Sequence, residues 1–243
     1  MNRKFYAFLS SALAFGATGL QAERNAWYVG ASYEVGQVGQ AVRNPSPDQA
    51  AINPVTGGSY QFSRLPAGSY SNLAVMQGLG ISVGYKQFFG KKKWFGLRYY
   101  GFMDYGHAVF GANELVPGKG TFANLTDMFT YGVGIDTLYD VINKQDVTFG
   151  FFLGAAIAGN SWGNTTGGPL ITINYPATAE NTIDPAMFQF LFNLGMRTTI
   201  GKHQEFDFGI KIPTINDYYF NKKGLSFTYR RQYSLYVGYR YNF

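Results

Sequence analysis

The sequence predicts an all-β fold, an eight-stranded antiparallel transmembrane β-barrel. Eight segments of the 243-residue chain alternate apolar and polar residues with a period of two, which is the period of a β-strand. The connections between these segments are alternately long and short, and the first and last are long. Barrels of the bacterial outer membrane have an even number of strands, short periplasmic turns and long extracellular loops. A soluble β-sandwich, the alternative, has no reason to sort its loops by length.

The chain begins with a predicted secretory signal peptide, residues 1–22. Arg3 and Lys4 make the start basic, an apolar run follows, and Ala22 is a small residue at a plausible cleavage site. The apolar run is too short to span a bilayer as a helix, which disfavours the alternative of a retained membrane anchor. We therefore expect a single barrel domain over residues 23–243, exported to the outer membrane.

Composition excludes several classes of function. The chain has no cysteine, so disulfides, thiolate metal sites and cysteine nucleophiles are excluded. Aromatic residues make up 18% of the chain and the mean hydropathy is −0.12, but no apolar run after Ala22 approaches the roughly 20 residues of a membrane helix. The formal charge of +6 falls to +4 without Arg3 and Lys4 (6 − 2). Most of the remaining basic residues are scattered, which argues against nucleic-acid binding.

Each predicted strand is bounded by turn or loop residues. Only the fourth has a helical alternative, and there Gly132 and Gly134 would each cost a helix about 1 kcal/mol. The long loops are predicted at about residues 41–72, 107–124, 160–185 and 214–224, which leaves both termini on the periplasmic side. In chain order the predicted strands are Trp27–Val38, Leu73–Lys86, Phe95–Tyr105, Met128–Tyr139, Val147–Ala158, Phe188–Arg197, Glu205–Ile212 and Phe227–Phe243.

The closing strand carries two expectations. Its odd-numbered residues are uncharged back through Tyr229 and Phe227, so this face is predicted to contact lipid, and the strand is predicted to pair with the first one. The chain ends in Tyr239, Tyr241 and Phe243 on this face. A terminal Phe on an alternating strand is similar to the signal that outer-membrane barrels present to their assembly machinery. We therefore expect that machinery as a partner, with outer-membrane lipid and lipopolysaccharide as the surroundings.

The opposite face of the strands is predicted to line a narrow lumen. Glycines on this face leave room for larger side chains, and charged residues share it. Buried charges are tolerated only when they are paired, so we expect a network of paired charges that closes the lumen. The alternative is a narrow water-filled pore lined by the same groups. The predicted network contains Glu34, Arg98, Asp104, Asp136, Arg197, Glu205, Asp207, Lys211 and Arg240.

No catalytic, cofactor or metal site is predicted. The chain has two histidines, His107 and His203. His107 follows Asp104 near the extracellular end of the third strand, but an acid–base pair without a nucleophile is weak evidence for catalysis. Two distant histidines without cysteines do not form a typical zinc site.

Aromatic residues in the loops are candidates for contact with a host-surface ligand, because exposed aromatic side chains favour interfaces. The alternative is that they pack the loops on themselves or form the extracellular aromatic girdle. The residues are Tyr60, Phe62, Tyr70, Trp162, Tyr175, Tyr218, Tyr219 and Phe220.

Several runs in the same order resemble the Helicobacter outer membrane protein family, the Hop and Hor paralogues. The resemblance covers essentially the whole mature chain and implies an outer-membrane location. Some members of this family are adhesins and some are pores. The runs are Tyr33–Asn44, Gly84–Gly90, Gly96–Tyr105, Phe129–Gly134, Ala158–Trp162, Phe188–Gly195, Lys211–Ile215 and the closing strand.

The large adhesins of this family carry an extracellular domain inserted after the first strand. Only residues 41–72 occupy that place here, so the chain resembles a short member and an adhesin role does not follow from the resemblance. The primary expectation is a structural or surface-interaction role through the extracellular loops, without catalysis. A narrow diffusion channel and an adhesin-like binder of the host surface are the alternatives.

Overall fold

The computed structural model describes most of the chain. The described residues are 23–47, 50–52, 55–56, 59–60, 63–64, 66–110, 125–144, 146–164, 171–173, 186–222 and 224–243. The predicted signal peptide lies outside these residues. No helix within them is long and apolar enough to cross a membrane.

Eight antiparallel strands form a closed barrel, which confirms the predicted fold class. Each strand pairs with the next along the chain, and the last pairs with the first. Closure leaves no strand edge open to lipid, where an unpaired backbone group would be costly. The strands are β1 (Ala26–Asn44), β2 (Gly68–Phe89), β3 (Phe95–Val109), β4 (Leu125–Asn143), β5 (Val147–Asn164), β6 (Ala186–Ile200), β7 (Gln204–Pro213) and β8 (Leu225–Asn242).

Most strands extend further at the extracellular end than the sequence indicated. The predicted loop 41–72 starts only after Asn44, because β1 and β2 keep pairing up to Asn44 and Gly68. The loop predicted at 214–224 contains a strand, Asp217–Lys222, that pairs with the start of β8. Polar residues such as Ser69 belong to these extensions, since a strand that rises above the apolar part of the bilayer no longer needs an apolar outer face.

Shorter strands lie between β1 and β2 and between β5 and β6. Ala50–Ile52 pairs with both Ser63–Arg64 and Ile171–Ile173, and Val55–Thr56 pairs with Ser59–Tyr60.

The periplasmic turns are short, as predicted. Gly90 and Gly201 have φ angles of 72° and 62°, a left-handed conformation that glycine adopts without a steric penalty. These positions let the chain reverse within a few residues. Five residues separate β2 from β3, and three residues separate β4 from β5 and β6 from β7.

The two faces of the wall differ as the alternation requires. Outward residues such as Leu79, 64% exposed, and Val237, 58% exposed, form the lipid-facing surface. The lower part of β8 follows the predicted odd-outward pattern, but its upper part does not. Tyr229 is fully buried and Phe227 is 6% exposed, so both face the lumen and the prediction that they contact lipid is wrong.

A β-bulge causes this reversal. Gln37 of β1 lies opposite Tyr233, whereas the next residue of β1 lies opposite Arg231, so Gln232 is the extra residue. One extra residue moves every side chain beyond it to the other face. Odd-numbered residues of β8 therefore point inward before the bulge and outward after it.

Candidate functional site in the barrel lumen

The nine charged residues assigned to the lumen all face into the barrel, and each lies within ion-pair distance of an opposite charge. They form a periplasmic group of six and a smaller group of three nearer the cell surface. The periplasmic group contains Arg98, Asp136, Arg197, Glu205, Asp207 and Arg240, and the other contains Glu34, Asp104 and Lys211.

Glu205 is the centre of the periplasmic group. It is the second residue of β7 and its side chain is fully buried. Lys86 donates a hydrogen bond to Oε2, and Arg98 Nη1 lies 3.4 Å from Oε1. Arg197 Nη1 lies 3.8 Å from Oε2, and Arg240 Nη1 lies 3.7 Å from Oε1. Four cations on four different strands therefore share this carboxylate.

Arg98 forms the second junction. It lies directly opposite Asp136 in the β3–β4 register, and both side chains point inward. Its Nε and Nη2 donate to Asp136 Oδ2 over 2.9 and 2.6 Å, and its Nη1 donates to Asp207 Oδ2 over 3.0 Å. Arg240 also pairs with Asp207. The guanidinium of Arg98 lies 4.8 Å above the Phe152 ring, so an aromatic face covers the side that carries no hydrogen bond.

Glu23 extends this group across the periplasmic mouth. Its carboxylate, 2% exposed, accepts hydrogen bonds from Arg197 Nη1 at 2.7 Å and from Thr148 and Thr199 at 3.0 and 2.9 Å. Lys86 Nζ lies 3.5 Å away. Burial alone would raise the pKa of Glu23, but Arg197 and Lys86 outweigh it and hold the pKa below its ordinary value. The segment before β1 thus supplies a carboxylate to the lumen.

Sequence reasoning missed four members of these groups. Lys86 and Asp140 are even-numbered, as are the other inward residues of β2 and β4. Alternation along the sequence was therefore sufficient to identify them. Glu23 precedes the first strand and Arg231 precedes the bulge, so no alternation signal marks either one. Asp140 accepts a hydrogen bond from Arg197.

The group nearer the cell surface is centred on Lys211. Its Nζ donates to Glu34 Oε1 at 2.5 Å and to Asp104 Oδ2 at 2.6 Å. Arg231 Nη1 lies 3.8 Å from Glu34 Oε2. These side chains come from β1, β3, β7 and β8, so the group ties together opposite walls of the barrel.

Tyr100 lies between the two groups, beside a cavity that members of both groups line. The Tyr100 hydroxyl donates to Asp136 Oδ1 at 3.1 Å and accepts from Asn193 Nδ2 at 2.5 Å. Gly134 lies opposite Tyr100, and a Cβ there would come within 2.5 Å of the tyrosine ring. The glycine therefore allows the ring to lie across the lumen. The cavity beside it measures about 30 Å³, which is room for a few water molecules at most.

An apolar cluster fills the extracellular end of the lumen. Trp162 stacks on Tyr229 with ring centroids 4.7 Å apart, and its Nε1 donates to Asp217 Oδ2 at 2.7 Å. The strand Asp217–Lys222 folds inward and buries Phe220. The buried members are Val38, Val42, Ala74, Met76, Ala108, Phe110, Met128, Trp162, Phe220, Leu225, Phe227 and Tyr229.

The predicted loop aromatics thus separate into different environments. Trp162 and Phe220 are buried within the lumen, whereas Tyr218 is 43% exposed. Tyr70 and Tyr219 are partly buried against the apolar cluster. The side chains of Tyr60, Phe62 and Tyr175 lie outside the described part of the chain.

His107 has a different partner from the one that the sequence indicated. Its Nδ1 lies 2.7 Å from Asp127 Oδ1, whereas Asp104 points into the lumen and binds Lys211. The Tyr105 hydroxyl donates to the same oxygen of Asp127. Within the described ranges no cluster of three or more histidine or carboxylate side chains is arranged to hold a metal ion.

Comparison with known proteins gives a family and distant structural neighbours. The family model described as Helicobacter outer membrane protein matches residues 80–243, more than half of the chain. No curated protein sequence matches. Neisserial surface protein A is 17% identical with a TM-score of 0.40, and the match covers 91% of this chain and all of that one. Ail, the attachment invasion locus protein of Yersinia pestis, is 11% identical with a TM-score of 0.31, covering 87% of this chain and 97% of that one.

Proposed function

The chain belongs to the Helicobacter outer membrane protein family, and from this premise we propose that it is a non-conducting barrel, a closed scaffold that carries its extracellular segments at the cell surface. The observation that carries the proposal is the filled lumen. From the periplasm outward it contains the periplasmic group of charges, the Tyr100 side chain, the charged group centred on Lys211 and the apolar cluster around Trp162.

Both charged layers oppose ion passage. A permeating ion would have to separate buried pairs such as Arg98–Asp136, and removing one partner from a buried pair costs about 3–5 kcal/mol. The apolar cluster offers a dehydrated ion few polar partners, so it adds a barrier of a different kind. We propose on these grounds that the paired charges close the lumen and that the barrel is not a narrow diffusion channel.

The refolded protein should show no stable conductance steps in a planar lipid bilayer at moderate voltage, because buried ion pairs and the apolar cluster occupy the lumen. The measurement is single-channel recording at several protein concentrations, with an established outer-membrane porin as the positive control. Reproducible steps of one size from homogeneous protein would favour the narrow channel and contradict the closed barrel.

We also propose that the end of β8 is the part that the barrel assembly machinery recognises. The side chain of Phe243 is 60% exposed on the lipid face, where its ring lies next to that of Tyr241. Tyr239 is on the same face, two residues before Tyr241. The backbone N–H of Phe243 donates to Trp27 O at 2.9 Å, which fastens the end of the chain to β1.

Deletion of Phe243 should lower the amount of folded protein in the outer membrane several-fold, because the recognition residue and one hydrogen bond of the closing seam are both lost. Heat-modifiable gel mobility of outer-membrane fractions measures this amount. The control is Phe243→Tyr, which keeps the backbone bond and the aromatic ring. Wild-type levels of the deleted variant would contradict the assembly role.

The proposal assigns no catalytic step and no cofactor to this chain. Binding of a host-surface ligand stays a second prediction, attached to the exposed extracellular residues such as Tyr218. Adherence of cells that carry and lack the protein tests it, and equal adherence would remove this alternative.

A further inference from the structure

A second charged surface lies on the outside of the barrel, above the lipid-facing belt. It occupies the extracellular ends of β8, β1 and β2, which are neighbours in the wall. Arg43 and Arg230 are both exposed here, and both belong to the outward face of their strands. We call this surface the outer rim patch, defined by Arg43, Arg230, Ala41, Ser69, Ser71, Ser226 and Thr228.

The centre of the outer rim patch is a groove with small side chains. Ala41 lies between Thr228 of β8 and Ser71 of β2, and one rung higher Arg43 lies between Ser226 and Ser69. The groove has a volume of about 200 Å³ and is lined by these residues. Its walls therefore present hydroxyl groups beside a guanidinium, a donor set suited to phosphate oxygens.

Arg230 closes the lower end of the patch. It lies opposite Gly39, four residues before Arg43 along β1, which is roughly 13 Å of strand. The bulge at Gln232 sets this orientation, because it turns Arg231 inward and leaves Arg230 outside. Arg43 thus lines the groove, and Arg230 lies below it on the same outward face.

The described residues supply no ion pair to either arginine. The sole carboxylate on β1, β2 and β8 is Glu34, and it points into the lumen. On β3 and β4, by contrast, the outward side chain of His107 lies beside the carboxylate of Asp127. Two exposed cations with no acidic neighbour among the described residues form an anion-binding surface.

Apolar residues begin level with Arg230, where Leu73 pairs with the other side of Gly39, and continue below the patch. Leu73 and Val75 on β2 are 50% and 61% exposed, and Tyr233 and Leu235 on β8 are 38% and 42% exposed. A ligand bound here would meet cations and hydroxyls at its upper part and an apolar wall at its lower part. A free phosphate ion would use only the upper part, whereas a phosphorylated lipid would use both.

We propose that the outer rim patch binds the phosphorylated headgroup of an outer-leaflet glycolipid, with the acyl chains lying against the apolar wall below. The position supports a lipid of the outer leaflet, because the patch is at the end of the barrel opposite the short periplasmic turns. Arg43 and Arg230 take the phosphate, and the hydroxyl groups of the groove hydrogen-bond to phosphate and sugar oxygens.

The test compares lipid retention by native mass spectrometry of the full mature barrel in detergent micelles. The probes are phosphorylated lipid A, the same lipid with its phosphates removed, and inorganic phosphate. The variant is Arg43→Gln with Arg230→Gln. The control is Lys91→Gln with Lys92→Gln, which removes two exposed cations from the periplasmic turn. Gel mobility of the folded barrel verifies that each variant folds.

We expect the double arginine variant to bind phosphorylated lipid A roughly tenfold more weakly than the wild type, since each cation near a membrane surface contributes modestly. The lysine control should bind as the wild type does, and the dephosphorylated lipid should bind equally weakly to all three proteins. Equal retention by the arginine variant, or equal retention of both lipids by the wild type, would overturn the proposal. Displacement of the lipid by an equal concentration of inorganic phosphate would also overturn it, and would assign the patch to a free anion.

Discussion

Glu205→Gln should lower the free energy of unfolding by about 3–5 kcal/mol, the cost of breaking a buried ion pair by removing one partner. The substitution keeps the size and one oxygen acceptor of the side chain but removes the charge. Lys86, Arg98, Arg197 and Arg240 would then face one another with less opposing charge. No other carboxylate of the periplasmic group contacts all four of these cations.

Urea unfolding of the barrel in detergent micelles, followed by heat-modifiable gel mobility, measures this change. The matched control is Asp146→Asn, which removes the charge of an exposed carboxylate in a periplasmic turn and should leave the unfolding midpoint unchanged. A midpoint for Glu205→Gln equal to that of the control would mean that the group adds no stability. Closure of the lumen would then depend on the apolar cluster alone.

Tyr229→Ala should be the second large effect, again about 3–5 kcal/mol, because it removes a fully buried aromatic ring from the apolar cluster. The ring stacks on Trp162 and also contacts Phe110, Tyr219 and Phe227. Tyr229→Phe is the matched variant, since it keeps the ring and loses only the hydroxyl that lies 3.4 Å from Thr126 Oγ1. It should retain most of the stability.

The same pair of variants tests the bulge. If Tyr229 faced lipid, as simple alternation predicts, the alanine substitution would only shorten a side chain on the outer surface. Stability would then change little. Urea midpoints within error of the wild type for both variants would support that lipid-facing orientation and contradict the inward one. Intrinsic tryptophan fluorescence gives a second readout, because Trp162 loses its stacking partner only in the alanine variant.

The sequence predicts the barrel itself well because each strand is half buried. A residue such as Leu79 faces lipid and its neighbours face the lumen, so alternation marks the strand directly. The loop pattern then orients the barrel, since short turns and long loops lie at opposite ends. The same alternation places the nine predicted charged residues on the inward face.

Other features depend on information that alternation does not contain. The bulge at Gln232 shifts parity within a run that still alternates, so Phe227 and Tyr229 look lipid-facing in the sequence and are not. The strand Asp217–Lys222 forms against the extended start of β8, a contact set by tertiary structure. Glu23 reaches Arg197, 174 positions away, and no local pattern predicts such a pairing.

The long sequence separation within the ion pairs has a consequence for the order of events in biogenesis. Glu23 needs Arg197 from β6, and Glu205 needs Lys86 from β2. These partners meet only when the seam between β1 and β8 has joined, with Phe243 N–H bonded to Trp27 O. Before that point we expect the interior to be an open groove whose charges are solvated by water. We therefore expect dehydration of the interior to be a late step of insertion, after which the buried ion pairs help to hold the seam closed.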